Sequence, residues 1–484
     1  MPPRKIKDFQ AGLSRREYSV TDLVQAALTR VKTVDDKLGA YLRLRPAALT
    51  EAAEADKRLA AGRPHRPLEG VTLAVKDNLT IVHEEATAGS KILAGYQAIV
   101  TATAVARLQS AGAIVIGKTN LDEFAMGGST ENSGWHPTKN PWNTALVPGG
   151  SSGGSAVAVA TDTVMAGLGT DTGGSIRQPA SFCNVVGFKP TYGRVSRFGV
   201  IALASSLDQV GPFARTVEDA AMIYLAMAGP DDNDATTADQ PVEDLTADMR
   251  QPVKNMRIGL PQEFFGEGVD PEVAQVVTAA ADKFRELGAV VSEVSIPHAR
   301  QALATYYIIQ PAEASSNLAR YDGIRYGPSK RDGQGLTSIY SRTREAGFGA
   351  EVKRRIMVGT FVLSAGYAEA YYHQANRVRW LIREEFDQVF DQVDVLLSPT
   401  SPTTAFPLGS RTQDPLTMYI ADLLTVPANL ANLPAMSLPG GFAAGLPVGI
   451  QLMAKQWNEA ALFRAGFAWQ QATDWHTKTP PQQV

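Results

Sequence analysis

The sequence predicts one large α/β domain spanning residues 1–484, and three observations carry that expectation. No Pro/Ser-rich linker or block of like charge divides the chain, although its length alone would allow about three domains. Short β-rich apolar runs alternate with stretches of helical periodicity. The charged and glycine-rich segments fall where those apolar runs end, which is where open α/β sheets present ligands.

Helices come first. From Val20 to Lys37 the apolar residues Leu23, Val24, Ala27, Leu28 and Val31 recur at helical spacing after a Thr21 cap, and 48–61 repeats the pattern, so residues 1–64 form a helical N-terminal segment. The run Val71-Thr72-Leu73-Ala74-Val75 predicts a strand that stops at Lys76-Asp77-Asn78. A helix over 101–111 and a strand over 113–116 follow, and strand–helix–strand implies a parallel crossover. Ala156 to Leu168, rich in Ala and Val, predicts a buried helix beginning near Ser155. The acidic, Pro-containing stretch 231–249 is expected to be an exposed excursion. Beyond it come a helix over 271–287, a strand near Val290, a largely helical 354–390 and a late strand at 393–398.

Bulk chemistry excludes several classes. Net charge is −3 with basic residues spread along the chain, so this surface is poorly suited to grip nucleic acid by itself. Cys183 is the only cysteine, which rules out an internal disulfide and a cysteine-cluster metal site, and no metal is expected. The basic start, Met1 to Asp8, runs into polar sequence instead of a signal peptide's apolar core, and no apolar stretch approaches a membrane span. The expectation is a soluble, cytoplasmic protein without membrane contact.

Two serine-bearing glycine loops, Gly149-Gly150-Ser151-Ser152-Gly153-Gly154-Ser155 and Asp171-Thr172-Gly173-Gly174-Ser175, carry the chemistry. Glycines around a serine leave backbone N–H groups uncovered, so such a loop offers donors to a reacting carbonyl while the serine offers an oxygen. Helix-forming sequence follows each loop and turns a helix N-terminus toward whatever binds there. Lys76 is the candidate base, although a lysine reaching from a strand end to solvent fits the local sequence as well.

Two competing motifs are weaker. Gly112 to Thr119 matches the phosphate-loop pattern letter for letter and would make the chain an ATP-binding or scaffold protein. Its middle residues, 113–116, form a buried-strand run where a phosphate cradle needs a loop. Ser151 and Ser152 both fit a G-x-S-x-G elbow, but the preceding Leu146-Val147-Pro148 is a poor strand. The histidines such a triad would need, His298, His373 and His476, fall in a loop, a helix face and a polar tail.

The runs Gly149–Ala160 and Gly169–Ala180 together with Val75-Lys76-Asp77-Asn78 resemble the amidase signature family, and the spacings from Lys76 to Ser151 and from Ser151 to Ser175 agree with it. That resemblance implies a central mixed β-sheet covered by helices on both faces, with the signature core at 65–216. Longer runs, Leu121–Gly127, Glu313–Arg320, Lys353–Met357 and Asp414–Tyr419, are similar to one subfamily, the A subunits of tRNA-dependent amidotransferases. Asn184, where a small residue is expected, and the charged loop His83–Ala86 depart from the pattern without touching the signature residues.

By the resemblance, Ser175 is the nucleophile, Ser151 relays a proton through a cis peptide, and Lys76 is the ultimate base. The backbone N–H groups of Thr172, Gly173, Gly174 and Ser175 form the oxyanion hole. Tyr306, Arg355 and Asp422 bind glutamine; by periodicity alone, Arg355 in its Lys353-Arg354-Arg355 cluster is a solvated helix face. Lysine accepts a proton only when neutral, so Lys76 must be buried with Asp77 and Asp171 turned away or holding loop N–H groups. The implied role is to release ammonia from glutamine for converting Glu-tRNA(Gln), Asp-tRNA(Asn) or both. Subunits B and C are the expected partners, with B holding the misacylated tRNA and using ATP and Mg2+, and no cofactor in this chain. A stand-alone acylamide amidohydrolase is the alternative.

Overall fold

Short buried runs assemble into one continuous mixed sheet. The computed structural model describes residues 4–331 and 335–481. Its strands are β1 (Tyr41–Leu44), β2 (Thr72–Lys76), β3 (Ile114–Thr119), β4 (Ala166–Asp171), β5 (Val186–Lys189), β6 (Gln209–Ala214), β7 (Arg257–Pro261), β8 (Val290–Val294), β9 (Val395–Pro399), β10 (Ala435–Ala443) and β11 (Leu446–Ala454). They lie side by side in the order β1-β3-β2-β4-β6-β5-β10-β11-β9-β7-β8, flanked by helices. β2, β3 and β4 are buried along their whole lengths, which explains why they are apolar without alternation. β2 runs parallel to both β3 and β4, as the crossover pattern requires.

Register positions the chemistry. Val75 stands beside Leu168, so the carboxyl ends of β2 and β4 emerge together, one ending in Lys76 and the other in Thr170-Asp171. The helix Gly153–Ala160 packs against both strands and starts inside the first glycine loop. The helix Arg177–Cys183 begins two residues after Ser175, with Pro179 in its first turn, where no intrahelical N–H is required.

Two expectations need correction. Helix Val20–Leu38 is capped by Ser19, whose Oγ accepts from Asp22 N while the Asp22 carboxylate accepts from Ser19 N; the Thr21 hydroxyl donates to Asp56 instead. The expected helix over 156–168 ends at Ala160, and Ala166 to Asp171 is β4. A turn at 161–163, with Asp162 at φ 56°, separates them, and within β4 a β-carbon at Gly169 would lie 2.7 Å from the Phe213 ring, so glycine serves close packing there. The phosphate-loop look-alike is β3, paired on one side with β1 and on the other with β2, so its backbone groups serve the ladders. Lys118 within it is buried, with Nζ 3.0 Å from Asp77 Oδ1. The stretch 231–249 is largely exposed and is anchored where Asp231 accepts hydroxyl protons from Ser196 and Thr103, each at 2.6 Å, and where Leu245 and Met249 are buried. Among the described residues no helix is long and apolar enough to cross a membrane.

Candidate active site

Lys76 is completely buried, and its Nζ meets three side-chain oxygens: Ser151 Oγ at 2.7 Å, Ser152 Oγ at 2.8 Å and Thr170 Oγ1 at 3.0 Å. It does not reach solvent from its strand end. Burial pushes its ammonium down from an ordinary 10.5 to about 7, against the opposing pull of the Asp122, Asp171 and Asp208 carboxylates. Each of those carboxylates has its own partners. Asp122 accepts from the N–H groups of Ser129, Thr130 and Asn132. Asp208 accepts from the Thr172 hydroxyl and from Leu203 N and Ala204 N.

Asp171 organises the second glycine loop. It accepts from Gly174 N at 3.0 Å and Ile176 N at 3.1 Å and pairs with the buried Arg177 guanidinium. Burial opposes its charge, but Arg177 beside it holds the carboxyl well below the usual range. Asp77 accepts from Thr87 N and pairs with Arg43 and Lys118. The expectation that both aspartates hold loop N–H groups is met, and Arg43, Lys118 and Arg177 offset their charges as well.

The glycines of this loop are fixed by sterics. A β-carbon at Gly174, where φ is 138°, would lie 2.1 Å from Thr425 Oγ1, and one at Gly173 would lie 2.7 Å from the Tyr306 ring. The Thr425 hydroxyl donates to Gly173 O at 2.6 Å. Gly174 N–H is engaged by Asp171, whereas the N–H groups of Thr172, Gly173 and Ser175 have no protein acceptor among the described residues. Ser175 is 7% exposed at the end of this turn.

In the first loop the Gly150–Ser151 peptide is cis. Gln178 Oε1 accepts from Gly150 N at 2.8 Å and Thr130 Oγ1 donates to Gly149 O at 2.7 Å, so the helix Arg177–Cys183 and a neighbouring loop hold it from both sides. The Ser152 hydroxyl donates to Thr170 O at 3.1 Å. Ser151 Oγ has Lys76 as its partner and no second one among the described residues.

Tyr306, Arg355 and Asp422 come together from three separate segments. Tyr306 lies on helix Ala302–Asn317 against Gly173, and its neighbour Tyr307 donates to Asp422 Oδ2 at 2.9 Å. Arg355 is 4% exposed, not a solvated helix residue as its local sequence predicts. Its Nε donates to Glu351 Oε1 and its Nη1 to Gln310 Oε1, each at 2.7 Å, and the Tyr307 and Tyr419 rings cover it, each about 5.2 Å away. Burial pushes the Asp422 carboxyl up to about 7, opposed by Tyr307 and Arg355. Sequence reasoning missed Thr170, Gln178, Gln310 and Thr425 and named Ser152 only as a possible elbow serine; the roles of all five depend on contacts between distant segments. Of the histidines, His298 pairs with Glu385 and His373 lies near Glu369, so neither serves the serines. A cavity of about 500 Å³ between the N-terminal helices and the start of β2 and β4 lies at the opposite strand ends and includes none of these residues.

An amine buried among serines at the carboxyl ends of adjacent parallel strands is an arrangement for acyl transfer without histidine. The chain belongs to the amidase family, whose model matches residues 22–463. It is 50% identical over 481 residues to the A subunit of glutamyl-tRNA(Gln) amidotransferase from Methylococcus capsulatus, an alignment covering 99% of each chain. It is 52% identical to the protein of the same name from Cyanothece sp., covering 98% of this chain and 99% of that one. Among solved structures it is similar to the A subunit of glutamyl-tRNA(Gln) amidotransferase from Thermotoga maritima (TM-score 0.77, 41% identity, 94% of each chain). Peptide amidase of Stenotrophomonas maltophilia superposes with a TM-score of 0.83 at 33% identity, covering 99% of each chain.

Proposed function

We propose that this chain hydrolyses glutamine as the ammonia-supplying component of a tRNA-dependent amidotransferase, and that Ser175, Ser151 and Lys76 carry the chemistry. The observation that carries the reading is the buried Lys76 amine, pushed to about 7 and 2.7 Å from Ser151 Oγ. A neutral amine has two N–H donors and one lone pair. Donation to Ser152 Oγ and Thr170 Oγ1 leaves the lone pair for the Ser151 proton. Ser152 commits its own proton to Thr170 O, so Ser151 is the serine free to relay.

Ser175 Oγ attacks the side-chain amide carbon while its proton moves to Ser151 and that of Ser151 to Lys76. The carbonyl oxygen becomes an oxyanion that the N–H groups of Thr172, Gly173 and Ser175 receive; Gly174 N–H instead braces the turn through Asp171. The proton on Lys76 returns through Ser151 to the leaving nitrogen, and ammonia departs. Water then attacks the ester, yielding its proton by the same route, and glutamate leaves as Ser175 Oγ regains a proton. Arg355 meets the α-carboxylate, ionised Asp422 the α-ammonium, and Tyr306 closes the wall over Gly173.

The high identity to proteins named for glutamyl-tRNA(Gln) amidotransferase supports a role in a multi-subunit enzyme over a stand-alone amidase. In this reading subunits B and C complete the assembly in the cytoplasm, and B binds misacylated Glu-tRNA(Gln) or Asp-tRNA(Asn) and uses ATP and Mg2+. This chain needs no cofactor. The test compares glutamine with ammonium chloride as nitrogen donor in the assembled enzyme; full activity of this chain alone on bulky acylamides, with no stimulation of amidation, would defeat the multi-subunit reading.

Thr425→Val removes the hydroxyl that holds Gly173 O, and kcat for glutamine should fall about 10- to 100-fold, with Thr425→Ser restoring most of it. A loss in Thr425→Ser with Thr425→Val near the parent would show that the methyl packing matters instead. Lys76 and Asp422 must both lose a proton near pH 7, so kcat/KM should rise below that pH with a log–log slope above one. In Asp422→Asn the slope should drop to one, whereas an unchanged slope would remove Asp422 from substrate recognition.

A further inference from the structure

Gln310 is completely buried on the helix Ala302–Asn317, one turn beyond Tyr306 and on the same face. Its Oε1 accepts from Arg355 Nη1 at 2.7 Å. That bond fixes the orientation of the amide, because the reverse would set an N–H2 group against a guanidinium that only donates. Nε2 is therefore turned away from Arg355, and it has no hydrogen-bond partner among the described residues. A buried amide donor without an acceptor is unfavourable, and a ligand oxygen placed beside Arg355 would satisfy it.

Arg355 itself is a weakened anchor. Glu351 takes its Nε and offsets its charge before any substrate arrives, and the Tyr307 and Tyr419 rings cover its faces. A second, neutral donor strengthens the hold on a carboxylate without adding a positive charge near Lys76 or the substrate ammonium. We infer that Gln310 is a specificity-determining residue whose Nε2 donates to the α-carboxylate of the amino-acid substrate, alongside Arg355. The inference rests on the reading of glutamine as substrate. It gives the pocket a two-donor test for a free carboxylate, which a peptide-linked glutamine lacks.

The full chain assembled with its partner subunits tests this through two variants. Gln310→Glu keeps an acceptor for Arg355 but replaces the donor with an oxygen that repels the substrate carboxylate; Gln310→Met removes both. A donor role predicts that KM for glutamine rises at least about 30-fold in Gln310→Glu and about 5- to 10-fold in Gln310→Met, with kcat changing far less. If the amide only props Arg355, the order reverses, Gln310→Glu stays within about 3-fold of the parent, and the inference is overturned. Should Gln310→Glu not fold, Gln310→Met is measured both in the parent and in an Arg355→Met background: a further rise in KM of at least about 3-fold with Arg355 absent supports the donor, and no further rise means that the amide acts only through Arg355 and overturns the inference. Failure of the parent assembly itself to hydrolyse glutamine would strike the functional reading, which separates the two.

Discussion

Ser175→Ala is expected to lower glutamine hydrolysis by about 10^4-fold or more while leaving amidation supported by ammonium chloride largely intact. The two halves of this result report different things. Loss of the hydroxyl removes the atom that forms the acyl intermediate, and groups that act as a unit lose nearly all their effect when one is removed. Retention of the ammonia-dependent reaction would show that the chain still folds and assembles, as expected for a side chain at the end of a turn held by Asp171, Arg177 and Thr425 rather than by its own hydroxyl. Ammonium-dependent amidation measured beside glutamine-dependent amidation in one preparation gives both numbers. Equal loss of both would assign Ser175 to structure or assembly.

The site was legible in the sequence to the extent that its chemistry lies in contiguous runs. Lys76 ends a readable strand, and both serine loops are dense in glycine, so their local sequence carries both identity and conformation. Arg355 shows the limit. Within Lys353-Arg354-Arg355 nothing local marks one cation as buried, because its burial comes from Gln310, Glu351, Tyr307 and Tyr419, three of them from distant segments or another helix. The part Ser152 plays beside Lys76 was equally hidden, since only the adjacency of β2 and β4 brings Thr170 and Lys76 to it.

The fold divides in the same way. Runs of β-branched residues such as those in β2 and β3 announce themselves, whereas β4 is built from Ala, Gly, Leu and Thr and blends into the alanine-rich helix before it. β10 and β11 form the longest pair in the sheet, yet Pro439, Gly440 and Gly441 interrupt the first of them and produce a register shift that period-two reading does not anticipate. Their place is set by pairing with each other and with β5 and β9, a tertiary fact.

Lys76→Met should remove almost as much activity as Ser175→Ala and, unlike it, should make the protein's stability depend less on pH. Lys76 holds its proton up to about pH 7 when folded and to about 10.5 when unfolded. Below pH 7 both states are charged, and burying that charge costs the fold about 5 kcal/mol relative to the neutral amine. Between those values the unfolded chain binds more protons than the folded one, so the parent gains stability as pH rises and the penalty vanishes near 10.5. Methionine has no such penalty at any pH. It does leave the Ser151, Ser152 and Thr170 hydroxyls without the amine, a loss that is independent of pH and so shifts the whole comparison without changing its slope. Denaturant unfolding of both proteins at pH 6.5 and pH 9 should therefore show the stability difference moving in the parent's favour by about 2–3 kcal/mol. A difference that stays constant would mean that the amine keeps its proton throughout that range, and a lysine in that state cannot take one from Ser151.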